Sequence, residues 1–334
     1  DDGGGGERVR LNQGSQRALN EAQPGKQIQD GGNVPTTMAF ASMGLSKQSM
    51  RAITEVCKFT HATAVQDQTL PHITKGVDVL ARAKTGSGKT VGFMLPSIEL
   101  LMKNPETRKG DVSVLIVSPT RELASQIHVE ANQLLTFHEY GAQVVFGGTN
   151  IGTDKKRLRE NRCDFLVATP GRLIDHLENE GLRERMSNLR VLVLDEADRM
   201  LDMGFIRDIK KILKFVPKQR QNLLFSATYS DDVRDLANQL LVNPVLIEVS
   251  PRNEPTENVG QSVYFIAKED KRYLLAQLIK NSNWYQVLVF ARTKYGADRL
   301  AKQLTKMGVL AEAIHGNKSQ NARTRVLRRF KDGN

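Results

Sequence analysis

Residues 83–90 read AKTGSGKT, and no other stretch of the chain limits its fold as tightly. They follow an apolar run, VDVLA at 77–81, and precede an amphipathic one, TVGFMLPSIELL at 90–101. The context is therefore strand, glycine-rich loop, helix. Gly86 and Gly88 allow successive backbone N–H groups to curl around an anion, and the helix start adds partial positive charge. In such a loop Lys89 reaches the β- and γ-phosphates of a nucleotide, and Thr90 places a hydroxyl on magnesium. Lys84, Thr85 and Ser87 complete the cradle. Ala83 stands where the general pattern opens with glycine. The bland alternative is a turn that only joins a strand to a helix.

The rest of the chain has the rhythm this loop needs. Apolar β-type runs occur at 77–81, 112–117, 144–146, 165–168, 191–194 and 223–225, with helical patterns such as 90–102 and 121–135 between them. That alternation predicts an α/β fold with a parallel sheet covered on both faces. The polar stretch SPRNEPTEN at 250–258 carries two prolines and is expected to be a linker. The pattern then resumes at 259–267, 287–291 and 309–314, each followed by a helical segment. Two lobes are expected, spanning 36–249 and 259–334, with the second cut short after three strands. Residues 1–35 are rich in Gly, Gln, Asn and charge, with too little apolar surface to offset ordering entropy. They are expected to form a disordered tail.

Composition narrows the function. Apolar residues make up 40% of the 334 positions and charged residues 25%, as in a soluble globular protein. No apolar run approaches the ~20 residues that cross a bilayer. The formal net charge of +11 favours a polyanionic partner through counterion release. Cys57 and Cys163 have no neighbours at metal-ligand spacing, so free thiols in a reducing, intracellular compartment are expected.

Residues 191–198 read VLVLDEAD. Four apolar residues end in acids, which places the carboxylates at the carboxyl edge of the sheet, where α/β folds bind ligands. Asp195 is placed to hold magnesium. Glu196 is placed to orient and deprotonate water. A helix start enriched in acids is the alternative.

From Phe40 to Gly333 the chain resembles the DEAD-box RNA helicases. The motifs occur in order: Phe40 and FTHATAVQ at 59–66, AKTGSGKT, PTREL at 119–123, Gly147-Gly148, TPGR at 169–172, DEAD at 195–198 and SAT at 226–228. VFART at 289–293 and HGNKSQNAR at 315–323 follow. The resemblance implies two RecA-like lobes of the P-loop NTPase kind, closing over ATP, Mg2+ and single-stranded RNA. By it, Phe40 stacks on adenine and Gln66 reads its edge. Thr120, Arg121, Gly148, Thr169 and Arg172 line one RNA strand in the first lobe, with Thr293, Gln320 and Arg323 in the second. Asp198, Ser226 and Thr228 couple the acids to the RNA side. The basic cluster Arg323, Arg325, Arg328, Arg329 and Lys331 adds to that side; a solvated helix face is its alternative reading.

Two departures stand out: Lys58 precedes Phe59 where the family has glycine, and Ala62 replaces a proline. The family's later second-lobe motifs, including an arginine finger, are not in the chain, so poor turnover by these 334 residues is expected. Three rival readings remain: a DNA-directed helicase, a module that binds ATP and RNA without turnover, and, more distantly, a P-loop kinase. The expected partner is RNA, with ribosomal or RNP proteins in cytoplasm or organelle and the nucleus not excluded.

Overall fold

The computed structural model describes residues 35–103, 110–179, 181–249, 262–282 and 284–333. The expected tail (apart from Pro35) and the expected linker at 250–258 lie outside them. The chain divides into two compact units, one within Asp30–Glu254 and one within Pro255–Asn334.

The larger unit is built on a seven-stranded sheet. Its strands are β3 (Val79–Arg82), β4 (Val114–Val117), β5 (Ala142–Val145), β6 (Phe165–Ala168), β7 (Val191–Leu194), β8 (Gln221–Ser226) and β9 (Val245–Glu248), ordered β5-β6-β4-β7-β8-β3-β9. Every pairing is parallel. A short antiparallel pair, β1 (Pro35–Ala39) with β2 (His61–Thr63), precedes it. Six of the seven large-sheet strands fall on the predicted apolar runs. β9, β1 and β2 were not predicted.

The central strands β4, β6 and β7 are buried throughout, because helices cover both faces. Alternate residues feed two separate cores. Val114, Ile116, Val191, Val193 and Phe225 enter one, whereas Leu115, Val117, Leu192, Leu194 and Leu224 enter the other. Each such side chain contributes roughly 1.5–3 kcal/mol through burial. All parallel strands share one polarity, so their carboxyl ends converge on one edge, and the glycine loop and the acids both lie there.

Two helices position the loop. At the start of the helix Ala64–Ile73 the Gln66 side chain reaches back to accept the Thr63 N–H at 2.9 Å, one half of a capping box. That helix lies against Lys89–Lys103 at Gly92, where the Thr69 hydroxyl donates to the Gly92 carbonyl at 2.8 Å.

The smaller unit contains the helices Lys271–Asn281, Lys294–Lys306 and Gln320–Lys331 around a small cluster of Ala276, Leu304 and Val309. The runs predicted as strands form no ladder among the described residues: 262–267, 287–291 and 309–314 are assigned no strand, and 259–261 lie outside the described residues. The reason is physical. A strand exists only by pairing its backbone groups with a neighbour, and here Phe265, Leu288, Phe290 and Leu310 are exposed instead of stacked on a helix.

Candidate functional site

The loop after β3 is pinned at its start: the Ala83 N–H donates to the Ser226 carbonyl at 3.0 Å. Lys84, Thr85 and Gly86 are exposed. Gly86 and Gly88 take φ of +81° and +86°, the left-handed region that favours glycine. A Cβ at Gly88 would collide with the Gln66 amide nitrogen, so a side chain there would displace Gln66 from the loop. Inside the loop two buried polar atoms have no partner: the Lys89 ammonium and the Ser87 hydroxyl. Such atoms are costly unless something pairs with them, and phosphate oxygens fit both.

Asp195 and Glu196 leave the end of β7. Burial first, then the adjacent Glu196 charge, pushes the Asp195 carboxyl up to about 6 against the attraction of Lys89. Glu196 sits at φ +51° although it is not glycine. Strain of that kind, roughly 1–2 kcal/mol, persists where surrounding contacts hold it. Those contacts are the Glu196 N–H donating to Asp195 Oδ1 at 3.0 Å, and Arg199 Nη1 donating to the Glu196 carboxylate at 3.2 Å.

Among the described residues, no group of three or more His, Cys, Asp or Glu could hold a metal unaided. The set present, one buried carboxylate and one hydroxyl beside a phosphate loop, suits magnesium, which keeps waters and shares its shell with substrate phosphates.

The three residues predicted to couple the acids to the RNA side are brought together. Asp198 Oδ2 accepts the Thr228 N–H and the Thr228 hydroxyl, each at 2.9 Å. The Asp198 N–H donates to Ser226 Oγ at 3.3 Å.

The two residues predicted to meet the base sit differently. The Phe40 ring is 1% exposed and belongs to the core, so it offers no face to a base in this structure. Its size and apolarity favour burial over a solvent-facing stack. Gln66 is committed at both ends of its amide: Oε1 accepts the Thr63 N–H at 2.9 Å, and Nε2 donates to the Gly88 carbonyl at 3.1 Å. It joins the helix start to the phosphate loop.

The predicted strand-binding residues of the larger unit gather on the same edge. Thr120 caps the helix Arg121–Leu134. Arg121 packs against Gly148, where an added Cβ would collide with its guanidinium, and Gly148 has φ +85°. Thr169 is buried, its N–H donating to the Val145 carbonyl at 3.1 Å. Arg172 is also buried, paired with Asp154 and bonded to Thr149. It therefore stands behind the surface and not on it, because its guanidinium neutralises a buried carboxylate.

In the smaller unit Thr293 caps the helix Lys294–Lys306, its Oγ1 accepting the Gly296 N–H at 3.0 Å. Gln320 and Arg323 hydrogen-bond each other. Of the basic cluster, Arg329 pairs with Glu312 at 2.6 Å and Arg328 with Asp332 at 3.7 Å.

Glu130 was not predicted. It stands on the helix Arg121–Leu134, where burial lifts its carboxyl above the usual range and the nearby Thr90 side chain partly offsets that rise. No motif marks it; only the packing of two helices brings it to the loop. Both cysteines are free, and burial pushes the Cys163 thiol up to about 12. Among the described residues no helix is long and apolar enough to cross a membrane.

Residues 63–236 match the DEAD/DEAH box helicase family, and residues 270–334 match the helicase conserved C-terminal domain. The chain is 42% identical over 306 residues to DEAD-box ATP-dependent RNA helicase 31 of Oryza sativa subsp. japonica, covering 88% of this chain and 56% of that protein. It is 39% identical over 299 residues to ATP-dependent RNA helicase RhlB of Pseudomonas aeruginosa, covering 88% of this chain and 75% of that one. A crystal structure of a DEAD box protein from the hyperthermophile Methanococcus jannaschii superposes with a TM-score of 0.55 at 33% identity, covering 88% of this chain and 77% of that one. The chain thus spans little more than half of the rice relative.

Proposed function

This chain belongs to the DEAD-box helicase family, and on that premise we propose that it acts as an ATP-dependent RNA helicase. It binds ATP and single-stranded RNA, and couples ATP hydrolysis to local strand separation or to remodelling of RNA–protein complexes. The observation that carries the reading is the buried, unpartnered ammonium of Lys89 beside Asp195 under a two-glycine loop. The terminal phosphates of ATP supply the acceptors that this ammonium lacks.

Thr90 and Asp195 would hold magnesium together with phosphate oxygens and water, and the ion would neutralise charge on the transferred phosphoryl group. Glu196 accepts a proton from the attacking water, for which Arg199 must release its carboxylate. Gln66 selects adenine by exchanging its bond to the Gly88 carbonyl for the base edge, since an amide both donates and accepts. The Asp198–Ser226–Thr228 bonds tie the acids to the end of β8, so strain at one is felt at the other.

Thr120, Arg121, Gly148 and Thr169, with Thr293, Gln320 and Arg323, meet the RNA backbone, so little sequence preference is expected. The partner is RNA, alone or with RNP proteins, in an intracellular reducing compartment that suits two free thiols. A second reading is a module that binds ATP and RNA without turnover; the unpaired apolar runs of the smaller unit favour it.

Steady-state ATP hydrolysis with and without single-stranded RNA separates the two. RNA-stimulated turnover that disappears in Lys89→Ala supports the helicase; binding of both ligands without turnover supports the module. Wild-type affinity of Lys89→Ala for a fluorescent ATP analogue would overturn the site assignment itself.

A further inference from the structure

We propose that Asp154 is a positioning residue for the strand-binding loop at 147–149, and that Arg172 acts on RNA through it and not by touching a phosphate. The inference rests on the RNA-binding reading above.

Asp154 lies in the first turn of the helix Ile151–Glu160 and is 2% exposed. Three basic side chains surround it. Its Oδ2 pairs with Arg172 Nη1, its Oδ1 lies 3.2 Å from Arg157 Nη2, and His176 Nε2 is 3.7 Å away. Arg157 also donates to the Val144 carbonyl on β5. Burial opposes the charge, yet the His176 and Arg172 side chains hold the Asp154 carboxyl below its usual range.

Arg172 directs its fork at the neighbouring loop. Nη1 donates to Thr149 Oγ1 at 3.1 Å and Nη2 to the Thr149 carbonyl at 2.7 Å. Its remaining nitrogen, Nε, faces the Asp175 carboxylate at 3.8 Å, and the whole residue is 9% exposed. A guanidinium so placed has no free edge for a phosphate. Thr149, by contrast, is exposed and follows Gly148 directly, and Gly148 seats the Arg121 guanidinium. One line of contact therefore runs from the helix Pro170–Asn179 through Asp154 and Thr149 to Gly148 and Arg121.

A buried charged pair fixes geometry because loss of either member leaves the other unneutralised. Exposed glycines fix nothing by themselves. The network supplies the rigidity that a Gly-Gly loop lacks.

The test measures binding of a labelled single-stranded oligoribonucleotide, with magnesium and a non-hydrolysable ATP analogue, across a salt series. The expected result for Asp154→Ala and for Arg172→Ala is a loss of roughly tenfold in RNA affinity, equivalent to about one hydrogen bond. ATP-analogue affinity stays at the wild-type value, and the double variant is no worse than either single one. Neither changes the slope of log affinity against log salt, whereas Arg121→Ala, which removes a phosphate contact, flattens it by about 0.7. Asp154→Asn, which keeps an acceptor for Arg172, recovers part of the loss. Additive losses, or a slope flattened by about 0.7 in Arg172→Ala, would overturn the proposal. Amide exchange over 146–150 without RNA is a second, independent measurement: Asp154→Ala must speed it, and unchanged exchange would also overturn the proposal. If the wild-type chain binds no RNA, the function reading fails, while the exchange result still decides whether Asp154 holds the loop.

Discussion

The two units contain nearly the same apolar sentence with opposite outcomes. VLVL at 191–194 becomes β7, with Val191, Leu192 and Val193 at 0% exposure. VLVF at 287–290 remains unpaired, with Leu288 at 64% and Phe290 at 89%. β7 has ladder partners on both sides, β4 and β8, and helices over both faces. The second run has neither. An apolar run states what a chain gains by burying; the neighbours decide whether it is buried.

Four measurements would break or sharpen that contrast. The largest effect expected is in amide hydrogen exchange. Leu192 and Val193 should exchange at least on the order of 10⁴-fold more slowly than Leu288 and Val289, since a core strand opens only with global unfolding of a few kcal/mol or more. Comparable protection in the two runs would mean the smaller unit pairs its strands in solution.

Next comes truncation of one phenylalanine in each unit. Phe225 is fully buried, with its ring edge-on to Phe93 at 5.3 Å. Phe225→Ala should cost ~3–5 kcal/mol in urea unfolding, and Phe290→Ala no more than ~0.5 kcal/mol. Equal costs would erase the distinction.

A buried charge asks whether the tight packing of the larger unit has its own cost. The Asp195 carboxyl, raised by burial to about 6, gives a stability term fully present below the unfolded value near pH 4, lost as pH rises through 6. At pH 7.5 the wild-type chain, free of metal and nucleotide, therefore carries a penalty on the order of 3 kcal/mol. Asp195→Asn should stabilise the chain by about that amount at pH 7.5, and the gain should vanish below about pH 4. A pH-independent difference between the two melting curves would show that Asp195 does not titrate with folding.

The smallest effect expected is at Lys58, which is exposed and takes φ +59°. Lys58→Gly should raise stability by about 0.5–1 kcal/mol, the left-handed strain less the added entropy of the unfolded glycine. A fall in melting temperature would mean that Lys58 makes a contact worth more than its strain.

What the sequence made legible was local. The phosphate loop and the acids after β7 are each contained in eight residues, and their strand-to-loop context travels with them. β9 was less visible because Val245–Glu248 is an edge strand: Leu246 and Glu248 face solvent, and the run merges with polar text beside it. Contacts across the fold left no trace in spacing. Gln66 meets Gly88 across 22 positions, and Arg172 meets Asp154 across 18. Whether Phe40 lies on a surface or inside a core is likewise a property of what packs on it, and its residue type carries only the preference.

The alternation of β7 between two cores has a consequence for how the chain tolerates change. Both cores accept aliphatic side chains, so sliding β7 by one residue would keep every position apolar while exchanging valines for leucines, a cost in packing and not in polarity. The carboxylate after it would nonetheless travel ~3.3 Å and turn to the opposite face, away from Lys89. A single-residue deletion within Val191–Leu194 should therefore both disturb the packing of the two cores and carry the acids out of register with Lys89. The strand thus also works as a spacer, its length setting where the carboxylates stand.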